Sequence, residues 1–157
     1  MNGADAARRV PWLKRKPAKS GRADERFAAA EAIVDRLRAE YPAHASRDVE
    51  RLAEAAAPMA GAAPVQEPLF GEIFRIAHDI RGQGAVFGYP LMSRLASSLC
   101  LAMRTLGPRD AAMITIIHSH VAGMRALLEQ NVSGVGNRPA LTIAAALELL
   151  VRSRTGR

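Results

Sequence analysis

The stretch Ile76-Ala77-His78-Asp79-Ile80-Arg81-Gly82-Gln83-Gly84-Ala85-Val86-Phe87-Gly88 decides how the chain is read. On a helix advancing about 100° per residue, Leu69, Ile73, Ile76, Ala77, Ile80, Gly84 and Phe87 fall within one arc roughly 100° wide. Such an arc is the core face of an amphipathic helix. His78 lies roughly 160° from its centre, so its imidazole points to solvent or to a partner. Arg81 stands one turn further on, and Gly82 lies over the histidine position four residues later. Phe74 and Ala85 share the outer face, which gives the exposed imidazole a small apolar surround.

This arrangement has a specific chemistry. An imidazole with an ordinary pKa of about 6.5 is a neutral nucleophile near pH 7 without help from a second base. A guanidinium one turn away can neutralise an incoming phosphoryl group and bind it bidentately. Glycine costs about 1 kcal/mol in a helix interior, so Gly82, Gly84 and Gly88 within one short span require a reason. Close approach of another backbone is one such reason.

His78-x-x-Arg81-Gly82, with Gly88 ten residues after the histidine and leucines at Leu91 and Leu95, resembles the histidine-containing phosphotransfer (HPt) domain. That family carries His-x-x-Lys-Gly, then a second glycine and a leucine-spaced helix. The resemblance extends as a helical pattern from about Val49 to Leu128. It implies that His78 is the phosphoacceptor, that Arg81 takes the place of the family's lysine beside the phosphoryl oxygens, and that Gly82 clears space for a partner. Arginine for lysine keeps the charge and adds bulk, a departure that bears on rate and partner choice.

The composition agrees with packed helices. Half the chain of 157 residues is apolar, yet only seven residues are aromatic, and alanine is abundant. One domain with extensions is expected at this length. No apolar run reaches the ~18 residues a membrane span needs, and the charged N-terminus has no apolar core of a secretory signal. The single Cys100 excludes an internal disulfide and suits a reducing cytoplasm; on its apolar helix it reads as inert packing. Residues 1–22 hold seven Lys/Arg against Asp5, so they carry +6 of the chain's net +7. The basicity belongs to the N-terminal arm, which argues against nucleic-acid binding by the domain itself.

In chain order, residues 1–22 read as a disordered basic arm that could meet an anionic partner. Residues 23–64 read as N-terminal helices. A first runs from Asp24 to Tyr41, with Phe27, Ala30, Ile33, Val34 and Leu37 at 3–4 spacing, and is ended by Pro42. Ser46 caps a second. Pro58, Gly61 and Pro64 mark a loop. Residues 65–157 hold the HPt-like bundle. Its motif helix starts near Pro68, the next follows Pro90 and closes at Gly107, another opens at Asp110, and a last runs from about Pro139 to Val151. His118 and His120 lie about 200° apart on their helix and cannot ligate one ion together, so no metal site is expected; His120 reads as packed and His118 as exposed. There is no Walker loop and no nucleophile elbow.

The expected fold is therefore all-α: an antiparallel four-helix bundle with additional N-terminal helices. The site residues are His78, Arg81 and Gly82, with Phe74, Ala77 and Ala85 as a partner-docking surface. The expected partners are receiver domains of hybrid histidine kinases and response regulators, whose own carboxylates would hold the Mg²⁺; no cofactor is expected on this chain. Without an ATP-binding domain it would be a phosphohistidine shuttle with no kinase activity. Two other readings stand beside it: a non-catalytic helical adaptor for a receiver or kinase, and a nucleic-acid- or membrane-associated protein acting through the basic arm.

Overall fold

A computed structural model describes residues 21–59 and 64–156. It contains α1 (Gly21–Ala56), a short 3-10 turn (Ala57–Met59), α2 (Glu67–Val86), α3 (Pro90–Leu106), α4 (Met113–Glu129) and α5 (Arg138–Thr155). Among the described residues there is no strand, so the protein is all-α as its periodicity indicated. No described helix is long and apolar enough to cross a membrane. The expected basic arm, apart from Gly21 and Arg22 at the start of α1, lies outside the described residues. So does Gly61 of the expected loop. The chain divides into two compact units, one ending at Asp35 and one beginning at Arg36.

The N-terminal pair of helices is one helix. α1 continues through Pro42, which was expected to end it, and Ser46 is an exposed mid-helix residue with no capping role. A proline inside a helix costs about 3 kcal/mol, since it gives no N–H to the carbonyl four residues back. Tyr41, Ala45, Val49, Leu52 and Ala56 keep one face through the proline and are all buried. Burial of each large apolar side chain returns about 1.5–3 kcal/mol, enough to carry the helix across the break.

The other boundaries follow local chemistry. Proline occupies the first turn of α2, α3 and α5, where its missing N–H has no intrahelical partner to lose. The Asn137 side chain caps α5 by accepting from the Ala140 N–H at 3.0 Å. α4 opens later than expected, at Met113. Asp110 instead closes a turn ahead of it, its carboxylate accepting from the Ala112 N–H at 2.8 Å and its carbonyl from the Met113 N–H.

Within the second unit, α2 packs on α3, α3 also packs on α4 and α5, and α4 packs on α5. Ile73, Ile76 and Ile80 of α2, Met92, Leu95 and Leu99 of α3, and Ile116 and Ile117 of α4 are among the fully buried side chains. One end is tied by Tyr41, whose ring lies 5.3 Å from that of Phe87 and 5.1 Å from that of Tyr89. There the Tyr89 hydroxyl donates to the Asn131 side-chain oxygen at 3.1 Å, and the Gly134 N–H donates to the Gly88 carbonyl at 2.8 Å. The α2–α3 turn and the α4–α5 loop are thus held to each other. Elsewhere the Val65 N–H reaches the Pro108 carbonyl at 2.9 Å, fixing the entry to α2 against the α3–α4 connection.

Candidate functional site

α2 separates its two faces as its sequence dictates. Ile73, Ile76, Ala77, Ile80 and Gly84 are buried, and His78 is exposed in the second half of the helix. Phe74 stands half-buried one turn before the histidine, with ring centroids 6.3 Å apart and planes at 30°. That contact steadies the imidazole without occupying either ring nitrogen. Among the described residues none hydrogen-bonds the His78 ring. On the same helix Arg75 and Asp79 form an exposed ion pair at 3.5 Å, so the acid next to His78 is engaged with a cation of its own.

Arg81 is half-buried, and among the described residues no carboxylate pairs with it. Its charge is felt by the buried thiol of Cys100 on α3: burial pushes that thiol up, and Arg81 and Arg104 draw it part of the way back. The Arg81 charge thus acts toward α3, and no described carboxylate offsets it. A raised thiol pKa removes Cys100 as a competing nucleophile.

The glycines divide by cause. A Cβ on Gly84 would stand 2.8 Å from the Ser93 backbone nitrogen and 3.0 Å from the Tyr89 carbonyl oxygen, so this glycine lets α3 approach α2. Gly88 has φ +89°, a conformation that side chains rarely adopt, and makes the turn. Gly82 has neither reason: a Cβ there would meet nothing within 4 Å. Its helix cost has no steric return among the described residues. Of the three candidate docking residues, Phe74 and Ala85 reach the surface. Ala77 does not: it is fully buried, as its place on the apolar arc required, and belongs under the surface as core.

Two surface residues escaped the sequence reading. Gly71 lies two turns before His78, again with open space where a Cβ would be. Gly71, His78 and Gly82 thus leave bare helix on either side of the imidazole, a signal present in the 7- and 4-residue spacing. Val86, one turn after Gly82, is 61% exposed and extends the apolar edge. A third, Ser93, donates its hydroxyl to the Arg81 carbonyl at 2.6 Å; the sequence alone did not pair the two helices in register.

The remaining histidines are placed differently. His120 is fully buried; its Nδ1–H donates to the Ile116 carbonyl at 2.8 Å, and Nε2 accepts from the Ser98 hydroxyl at 3.1 Å. The Ile116 carbonyl requires the proton on Nδ1, and desolvation lowers the pKa and favours the neutral ring. His118 is exposed and lines an open cavity of about 520 Å³ with Glu54 and Arg125. His44 is exposed and its Nδ1 lies 2.9 Å from Arg47. Of the four imidazoles, His78 alone combines exposure, an aromatic neighbour, a half-buried cation one turn on and bare glycine beside it. Comparison with family models, with curated proteins and with solved structures finds no match to this chain.

Proposed function

We propose that this protein is a histidine phosphotransfer protein, which accepts a phosphoryl group from a receiver-domain aspartate on His78 and passes it to another receiver. On this reading α2, α3, α4 and α5 act as an antiparallel four-helix bundle, with the second half of α1 covering it. The observation that carries the proposal is the outward face of α2. It joins an exposed imidazole to a half-buried arginine that has no acidic partner among the described residues, and to a helix glycine that no described contact requires.

In the accepting step the Nε2 lone pair of neutral His78 attacks phosphorus in line. The Nε2–P bond forms, the bond from phosphorus to the aspartyl oxygen breaks, and the receiver's carboxylate leaves with its electron pair. The Nδ1–H stays on the ring throughout. Arg81 offsets charge on the equatorial oxygens, because phosphoryl transfer depends on positioning and electrostatics more than on covalent help. The Mg²⁺ that neutralises the remainder belongs to the receiver's carboxylates. Passing the group to a second aspartate reverses these steps. Gly71 and Gly82 admit the receiver's loops, and Phe74, Ala85 and Val86 supply a small apolar contact of the kind that suits a transient interface.

The test is transfer from a panel of phosphorylated receiver domains to wild type, His78→Ala and His118→Ala, read as acid-labile label on this chain. Label on wild type and His118→Ala alone supports the proposal. Label retained by His78→Ala, or none on folded wild type from any receiver, overturns it; the second result with receiver binding intact would make the protein an adaptor.

A further inference from the structure

The first half of α1 carries an exposed apolar stripe that no element among the described residues is packed against. Every residue from 21 to 40 is exposed, although Ala23, Phe27, Ala30, Val34 and Leu37 recur at spacings of 4, 3, 4 and 3. That is a heptad seam, with Phe27 and Val34 at a and Ala30 and Leu37 at d. Phe27 is 74% exposed, Leu37 41% and Val34 38%, and Ile33 beside the seam is 50%. From Tyr41 onward the residues of the same helix that continue the stripe are buried. Alanine gives residues 21–40 helical propensity, yet most helix stability in proteins comes from packing an apolar face. The face requires a cover.

The flanking charges point to a second copy of the same helix. We infer that residues 23–40 of α1 pair antiparallel with those of another chain, making the protein a reversible homodimer about a twofold axis near residue 32. In this register Phe27 packs across from the partner's Leu37, and small Ala30 across from the partner's Val34, so each layer matches a larger side chain with a smaller one. Arg26 faces the partner's Glu40 and Asp24 faces the partner's Arg38, and symmetry makes each attraction twice. Ile33 meets the partner's Ile33 on the axis, which accounts for an isoleucine at a flanking position where a charge is usual. Glu31 against the partner's Glu31 is the one repulsion. A parallel pair would gain only Arg26 with the partner's Glu31, stack Ala30 on the partner's Ala30 and crowd Phe27 against the partner's Phe27. The strip is about 25 Å long and its pairing covers on the order of 1,000 Å², the low end of specific interfaces, so exchange is expected.

The inference is independent of the chemistry at His78. It is tested on the full chain by sedimentation equilibrium across micromolar to submillimolar concentrations, with helicity followed by circular dichroism. A mass rising from monomer to dimer is expected, with helicity rising in parallel. Val34→Glu, which is solvent-facing in the monomer, should hold the mass at monomer at all concentrations without changing the thermal midpoint of the second unit. Glu31→Gln should tighten the dimer by about twofold through relief of the like-charge contact. Orientation is read by disulfide trapping in a Cys100→Ala background: Ala30→Cys mixed with Val34→Cys gives the mixed cross-link, while Ala30→Cys alone gives little. A monomer throughout overturns the inference, whether deletion of residues 1–20 then exposes the face or a different protein covers it. Preferential Ala30→Cys self-linking overturns the antiparallel arrangement.

Discussion

The Ser93 hydroxyl donates to the Arg81 carbonyl at 2.6 Å, tying the first turn of α3 to the arginine one helical turn after His78. Gly84 makes the contact possible, because any Cβ there would collide with the Ser93 backbone. The backbone of Arg81 is therefore held by a neighbouring helix, while among the described residues no carboxylate pairs with its guanidinium. A positioned cation that is not neutralised in advance is what stabilises charge on an arriving group.

Gly84→Ala and Gly82→Ala should act in opposite directions, although both exchange a helical glycine for the best helix former. Gly84→Ala forces α3 away from α2 and should lower stability by roughly 1–3 kcal/mol. Gly82→Ala meets open space and should raise stability by about 0.5–1 kcal/mol, while slowing phosphoryl transfer from a receiver severalfold. Urea denaturation gives the first quantity and rapid-quench transfer the second. A Gly82→Ala protein that is both more stable and fully active would remove the partner-clearance role.

Arg81→Ala should slow transfer to His78 by roughly 10–100-fold, the equivalent of one charge-assisted hydrogen bond lost in the transition state. Arg81→Lys should recover most of that rate, since it restores the charge on a shorter reach. Receiver affinity, measured with an unphosphorylated receiver, should change little in either variant. An equal loss in both variants would mean that the guanidinium's shape, rather than its charge, is what the site uses.

The faces of α2 were legible because its apolar positions keep one period from Ile73 to Gly84 and no proline interrupts them. The same reasoning placed His120 inside and His118 outside. It failed on Ala77, assigned to a docking surface although its own position on the apolar arc put it in the core. It failed again at Pro42, where local stereochemistry reads as a stop and only the burial of Tyr41, Val49 and Leu52 reveals the continuation. The three glycines could not be told apart in the sequence. Gly84 is explained by a residue of the next helix, Gly88 by its own backbone angle, and Gly82 by no contact among the described residues.

The uninterrupted α1 makes a direct prediction. Pro42→Ala restores an N–H donor within the helix and removes the ring's clash with the preceding turn, so stability should rise by roughly 1–3 kcal/mol. The gain should appear in the denaturant midpoint with an unchanged slope, since no additional surface is buried. A loss of stability instead would mean that the ring itself packs in the neighbouring cavity it lines with Val49 and Leu128.

His120 should make the fold sensitive to mild acid. Its imidazole is buried neutral, with Nδ1–H bonded to the Ile116 carbonyl and Nε2 accepting from Ser98, and desolvation lowers its folded pKa. The unfolded chain therefore takes up a proton on this residue at a higher pH than the folded protein does. Stability is fully present above the unfolded value of about 6.5 and falls as the pH drops below it, by up to about 1.4 kcal/mol per pH unit for one proton. Glu148, whose carboxylate is lowered chiefly by its hydrogen bond from Arg94, loses its contribution only in a more acidic window, below the ordinary carboxylate range. Urea midpoints at about pH 7 and about pH 5.5 separate the two groups, because only an imidazole titrates between them. His120→Gln should flatten the dependence in that interval whatever its absolute stability. A slope that survives the substitution would assign the acid sensitivity to another group.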